Sequence, residues 1–87
     1  MGRAASKNGS SIRAVLPLLF ERHAEQRMRE RGIKQAEVED AIRHPSATGP
    51  AKRSGARMYR KIGTQGTLVV IAEETGQFIR VVTTYRQ

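Results

Sequence analysis

The chain contains no cysteine and no tryptophan, and only two tyrosines and two phenylalanines among its 87 residues. Without thiols it forms no disulfides and no thiolate metal sites, which fits a reducing compartment. With four aromatic rings it offers little surface for stacking the bases of a single strand. Carboxylates are scarce too: 8 acidic residues stand against 16 Lys and Arg, for a net charge of +8. No long apolar run is present. The stretch Ala14 to Phe20 is broken by Pro17 and closed by Glu21 and Arg22. It is too short to span a membrane and lacks a small-residue cleavage site. A cytoplasmic protein with no membrane association is expected. Neither a Gly-rich phosphate loop followed by Lys nor a GxGxxG turn occurs. His23 and His44 lie far apart with no HExxH motif, which argues against zinc. Glu73 and Glu74 are neighbours at a strand end and point opposite ways, so they do not converge on a metal pair. No metal and no cofactor are implied.

What the chain has in excess is positive charge, and it is unevenly placed. Lys52, Arg53, Arg57, Arg60 and Lys61 fall within ten residues with no acid among them. Such a cluster suits a polyanion: nucleic acid, an anionic membrane or an acidic protein. At this length one domain is expected, with about 60% of its extended surface buried. Residues 1–13, rich in Gly, Ala, Ser and Lys, read as a flexible basic tail, and 14–87 as a single α+β domain.

Helical periodicity dominates the first half. Leu16, Phe20, Ala24 and Met28 recur every four residues, and His23, Arg27 and Arg31 follow the same spacing beside them. A helix is expected over 17–31, with Pro17 in its first turn and Gly32 ending it in the left-handed region. A second helix is expected over 35–44. Val38, Ala41 and Ile42 form its apolar face, Ile33 packs back on Val38, and Pro45 stops it. Buried helix residues should include Leu16, Phe20, Ala24, Met28, Val38 and Ile42. From Pro45 to Gly55 the composition is that of a loop or weak edge strand.

The period then changes to two. Strands are expected at 57–62, 67–73 and 78–86, joined by turns at Gly63-Thr64-Gln65-Gly66 and Glu74-Thr75-Gly76-Gln77. Alternation puts Met58 and Ile62 on one side and Tyr59 and Lys61 on the other. On the last strand it groups Ile79, Val81, Thr83 and Tyr85 against Phe78, Arg80, Val82, Thr84 and Arg86. The expected fold is α+β: one or two N-terminal helices packed on an antiparallel sheet of three to four strands.

The polar inventory is His, Arg, Lys, Thr and Tyr, the kit for metal-free RNA cleavage. In that chemistry the RNA's own 2′-OH attacks the adjacent phosphate while side chains move protons and stabilise the developing charge. Histidine serves in either proton-transfer role near neutral pH, and arginine holds phosphate oxygens through paired N–H bonds.

The residues His23-Ala24-x-x-Arg27-Met28-x-x-Arg31-Gly32-Ile33, followed by Val38 and Ile42 before Pro45 and by a terminal Val82-Thr83-Thr84-Tyr85-Arg86, resemble a small bacterial and phage family of uncharacterised domains. That family is similar to BrnT-type toxins and is grouped with the barnase/EndoU/colicin/RelE-like (BECR) ribonucleases. The likeness spans about Phe20 to Arg86. It implies helices on an antiparallel sheet and a toxin-type ribonuclease. His23 would be its proton-transfer group and Arg27 and Arg31 its phosphate ligands, with Thr83 and Tyr85 orienting the phosphate or supporting His23. A small hydroxyl residue is expected two before the histidine; here that position is Glu21. From charge alone, Lys52, Arg53, Arg57, Arg60, Lys61 and Arg86 are RNA-binding candidates.

The leading expectation is a metal-independent endoribonuclease leaving a 2′,3′-cyclic phosphate. Its alternatives are a non-catalytic RNA-binding domain of the same fold and a basic domain whose partner is an acidic antitoxin or immunity protein. Oligomeric state is not legible.

Overall fold

A computed structural model of the chain describes residues 16–53 and 55–87; the expected basic tail, 1–13, lies outside the described residues. Among the described residues seven elements follow in order: β1 (Leu18–Phe20), α1 (Arg22–Arg31), α2 (Gln35–Arg43), β2 (Ala47–Pro50), β3 (Ala56–Gly63), β4 (Gly66–Glu74) and β5 (Ile79–Arg86). The strands form one sheet in the order β1-β5-β4-β3-β2. Successive strands from β2 to β5 pair antiparallel, while β1 pairs parallel with β5. The class is α+β, and the sheet is five-stranded and mixed, not antiparallel with three to four strands.

The difference lies at 17–21. A helix was expected from Pro17, but Leu18–Phe20 is a strand and α1 begins at Arg22. Pro17 lacks an N–H, which suits the first position of an edge strand as well as the first turn of a helix. The neighbouring strand decides between them. The Pro17 carbonyl accepts the Ile79 N–H at 2.9 Å, and Glu21 N–H reaches the Val81 carbonyl at 3.3 Å. Leu16 and Phe20 accordingly flank the core half-buried and are not sealed within it.

Both helices lie on one face of the sheet. The core they share with it comprises Ala24, Met28, Ile33, Val38, Ala41 and Ile42 from the helical half and Tyr59, Leu68, Val70, Ala72, Ile79 and Val81 from the strands. Helix α1 ends as its sequence requires. Gly32 adopts φ 67°, its N–H reaches the Arg29 carbonyl, and Ile33 N–H reaches the Met28 carbonyl at 2.9 Å. Those two bonds are the paired closure of a Schellman end, and buried Met28 and Ile33 supply the apolar contact that accompanies it. Ile33 then stands one residue before the N-cap of α2, where it staples to Val38. Gly63 pairs with Gly66 across a two-residue hairpin loop. Of the two alternatives open between Pro45 and Gly55, a loop or a weak edge strand, the chain forms the strand β2 over Ala47–Pro50, at the edge of the sheet among the described residues.

Candidate nucleic-acid interface

The helix ladder does not form one site. His23 is exposed at the start of α1. Arg27 reaches Glu30 at 3.2 Å, with both side chains well exposed. Arg31 turns the other way: its Nη1 donates to the Thr84 carbonyl at 2.7 Å. Strand β1 covers β5 only from Ile79 to Val81, so among the described residues Val82 to Arg86 have a strand, β4, on one side alone. Arg31 satisfies one acceptor on that open stretch, as uncovered strand edges generally require.

β5 itself departs from simple alternation. Ala72 pairs with Val81 but the adjacent Ile71 pairs with Thr83, leaving Val82 as the extra residue of a bulge. One inserted residue moves everything after it to the opposite face. Thr84 therefore stands opposite Val70 and Arg86 opposite Leu68, both core residues, while Thr83 and Tyr85 stand opposite Ile71 and Val69. Alternation alone grouped Thr83 and Tyr85 with Val81; the bulge places them on the face that carries no helix among the described residues, the helix-free face for short. Thr84 is fully buried, and its hydroxyl has no hydrogen-bond partner among the described residues. His23, Arg27 and Arg31 thus belong to the helical layer, and Thr83 and Tyr85 to the other side of the sheet.

The basic candidates divide by partner. Arg53 binds Glu73 at 3.1 Å, Lys61 binds Asp40 at 3.5 Å and the His44 carbonyl at 2.7 Å, and Arg86 binds Glu37 at 2.9 Å. Lys61, Leu68 and Arg86 form one row across β3, β4 and β5 on the helix-facing side. There Lys61 and Arg86 line a cavity of about 280 Å³ with Glu37, Asp40 and the β3–β4 loop. The Lys34 N–H, at 3.1 Å, and then Arg86 hold the Glu37 carboxyl below the usual carboxylate range, against the opposing pull of its partial burial. Glu30 is lowered as well, by Gln26 first and Arg27 second. Lys52, Arg57 and Arg60 are exposed and have no carboxylate partner among the described residues.

Arg60 lies on the helix-free face. It pairs with Val69, and Val69 with Tyr85, so Arg60, Val69 and Tyr85 form one row; Met58, Ile71 and Thr83 form the next. Val69 is fully buried, Met58, Ile71, Thr83 and Tyr85 are half-buried, and Ile62 and Leu19 are the exposed large apolar residues. Sequence reasoning missed Met58 as part of a surface, because alternation separates two faces without saying which one the helices cover. Among the described residues no three His, Asp or Glu side chains come together as a metal site, and no helix is long and apolar enough to cross a membrane.

No curated protein and no solved structure matches the chain at a significant level. A family model does match, over residues 20–87, from the last residue of β1 through both helices to the end of β5. The chain therefore belongs to the DUF4258 family, a domain of unknown function.

Proposed function

We propose that this domain binds RNA across the helix-free face of its sheet, with Arg60, Tyr85 and Thr83 at the centre of contact. The observation that carries this reading is the row Arg60–Val69–Tyr85, in which a guanidinium without a carboxylate partner among the described residues and a half-buried phenol flank one buried valine. Two strand spacings put the backbones of Arg60 and Tyr85 about 10 Å apart. A base stacked on Tyr85 leaves a neighbouring phosphate within the arc of Arg60.

A second reading adds chemistry. The resemblance to BECR ribonucleases and BrnT-type toxins supports reading the domain as a toxin-type, metal-independent endoribonuclease that leaves a 2′,3′-cyclic phosphate. One observation favours it: a phenol, a hydroxyl and a guanidinium stand in adjacent rows of one face, all metal-free donors to a phosphate. Because His23 stands in the other layer, binding is the first claim and cleavage the second. An acidic antitoxin would compete with RNA for the same cations, and a cytoplasmic setting accords with either.

The test is a gel shift of short single-stranded RNA followed by incubation of total RNA in EDTA. Arg60→Ala and Tyr85→Ala should each weaken binding about fivefold or more. Unchanged affinity in both overturns the reading. Cleavage, if present, should persist in EDTA, fail on a 2′-deoxy substrate, and fall about 10²-fold or more in whichever of His23→Ala and Tyr85→Phe removes the proton-transfer group.

A further inference from the structure

The helix-free face falls away toward β2. Its two central rows run Tyr85–Val69–Arg60–Ala47 and Thr83–Ile71–Met58–Gly49 across β5, β4, β3 and β2. They finish in a methyl group and a hydrogen. A cavity of about 270 Å³ opens there, lined by Ala47, Thr48, Gly49, Pro50, Met58 and Arg60. A Cβ added at Gly49 would meet nothing within 4 Å. Met58 offers a polarizable thioether of the kind that packs well against aromatic faces, and Arg60 stands at the rim with its charge uncommitted among the described residues. Among the described residues β2 is the outermost strand, with β3 its only neighbour, so there its outward N–H and C=O groups have no ladder partner.

We infer that this depression is a nucleobase subsite for single-stranded RNA. The base lies over the backbone of Gly49 with one face against Met58. Its phosphate is held by Arg60, and its hydrogen-bonding edge meets the free backbone of β2. The inference rests on the RNA-binding reading above and adds a second base to the one on Tyr85. Three strand spacings, about 14 Å, separate the two positions, so they take different nucleotides of one strand. A base in a duplex is excluded, because its edge is already paired and its faces are stacked. An added protein strand fits less well, since Pro50 withholds the N–H that such a ladder would use.

The experiment compares a uridine hexamer with the same ribose-phosphate backbone lacking every base, binding each to the full chain at constant salt. The wild type should prefer the base-bearing hexamer by about 25-fold, about fivefold for each stacked base. Gly49→Val, which fills the depression without backbone strain, should reduce that preference to about fivefold, as should Tyr85→Ala. The double variant should abolish it. Ala47→Leu fills the same space from the next row and serves if Gly49→Val lowers the melting temperature. If both filling variants keep the wild-type preference while Tyr85→Ala reduces it, the subsite is wrong and the binding face stands. If neither Arg60→Ala nor Tyr85→Ala alters RNA affinity, the binding face itself is wrong.

Discussion

Arg27 and Arg31 stand one helical turn apart on α1 and carry the same charge, yet their surroundings give them different energetic weight. Arg31 makes a short, charge-assisted bond to the Thr84 carbonyl at 2.7 Å, a class of bond that contributes about 1.5–3 kcal/mol. Arg27 makes an exposed pair with Glu30, side chains 40% and 49% accessible, and solvent screens such pairs so that they contribute little. In urea unfolding, Arg31→Ala should therefore lose about 2 kcal/mol and Arg27→Ala markedly less. Equal losses would show that Thr84 finds another donor when Arg31 is gone. Glu37 adds a pH dependence whose sign is fixed by its lowered pKa. A carboxyl held lower in the folded than in the unfolded state contributes fully above the unfolded value, near ~4.3, and the contribution disappears as pH falls through the folded value. Glu37→Gln keeps an acceptor for the Lys34 N–H and loses the charge facing Arg86. Its melting temperature should lie below that of the wild type at pH 7, and the two should converge as pH falls through the lowered folded-state value of Glu37. A gap that persists in acid would assign the interaction to shape, not charge.

β5 shows how a single element can redirect a surface. The bulge at Val82 gives Thr83 to the helix-free face and Thr84 to the core, the reverse of strict alternation from Val81. Lysine is the discriminating probe. Thr83→Lys should cost less than about 1 kcal/mol, whereas Thr84→Lys, which buries an unpaired charge, should cost more than about 4 or abolish folding. The opposite pattern would restore the regular strand. Elements closed by local chemistry were legible in the sequence. Gly32 ends α1 because only glycine takes φ 67° cheaply there, Ile33 and Val38 set the entry to α2, and Gly63 and Gly66 bracket the hairpin. The elements that escaped depend on partners distant in sequence. Pro17-Leu18-Leu19-Phe20 carries apolar residues that suit a helix or a strand equally, and the free edge of β5 settles the choice. The bulge escaped for the same reason, since nothing in Val81-Val82-Thr83 marks which residue is extra. Of the candidate site, the residue types were legible but their grouping was not: parity through the bulge separates Thr83 and Tyr85 from the helix ladder and puts Tyr85 in a row with Arg60.

Across the whole molecule, the acidic residues sort the basic ones into two sets. Glu73, Asp40 and Glu37 hold Arg53, Lys61 and Arg86, three cations that charge counting alone would assign to RNA. Each would have to leave a carboxylate before meeting a phosphate, so it gains little by the exchange. Lys52, Arg57 and Arg60, like Arg22 and Arg29 on α1, have no such partner among the described residues, and their charge is available to a polyanion on the sheet side. Tyr59 and Arg57 share one side of β3 while Arg60 takes the other, so a bound strand would pass from the helix-free face around the β2 edge to touch all three. Three phosphate contacts on single-stranded RNA give a slope of log K against log salt near ~−2, from about 0.7 per contact. Reversing Lys52, Arg57 and Arg60 to Glu should bring that slope toward zero or beyond. Replacing Arg53, Lys61 and Arg86 by Gln should leave it within about 0.5 of the wild type while lowering the melting temperature, because their ion pairs are lost. Should the second set carry the slope and the first leave it unchanged, RNA would bind on the helical side, in the cleft between α2 and the β3–β4 hairpin, after displacing Glu37 and Asp40.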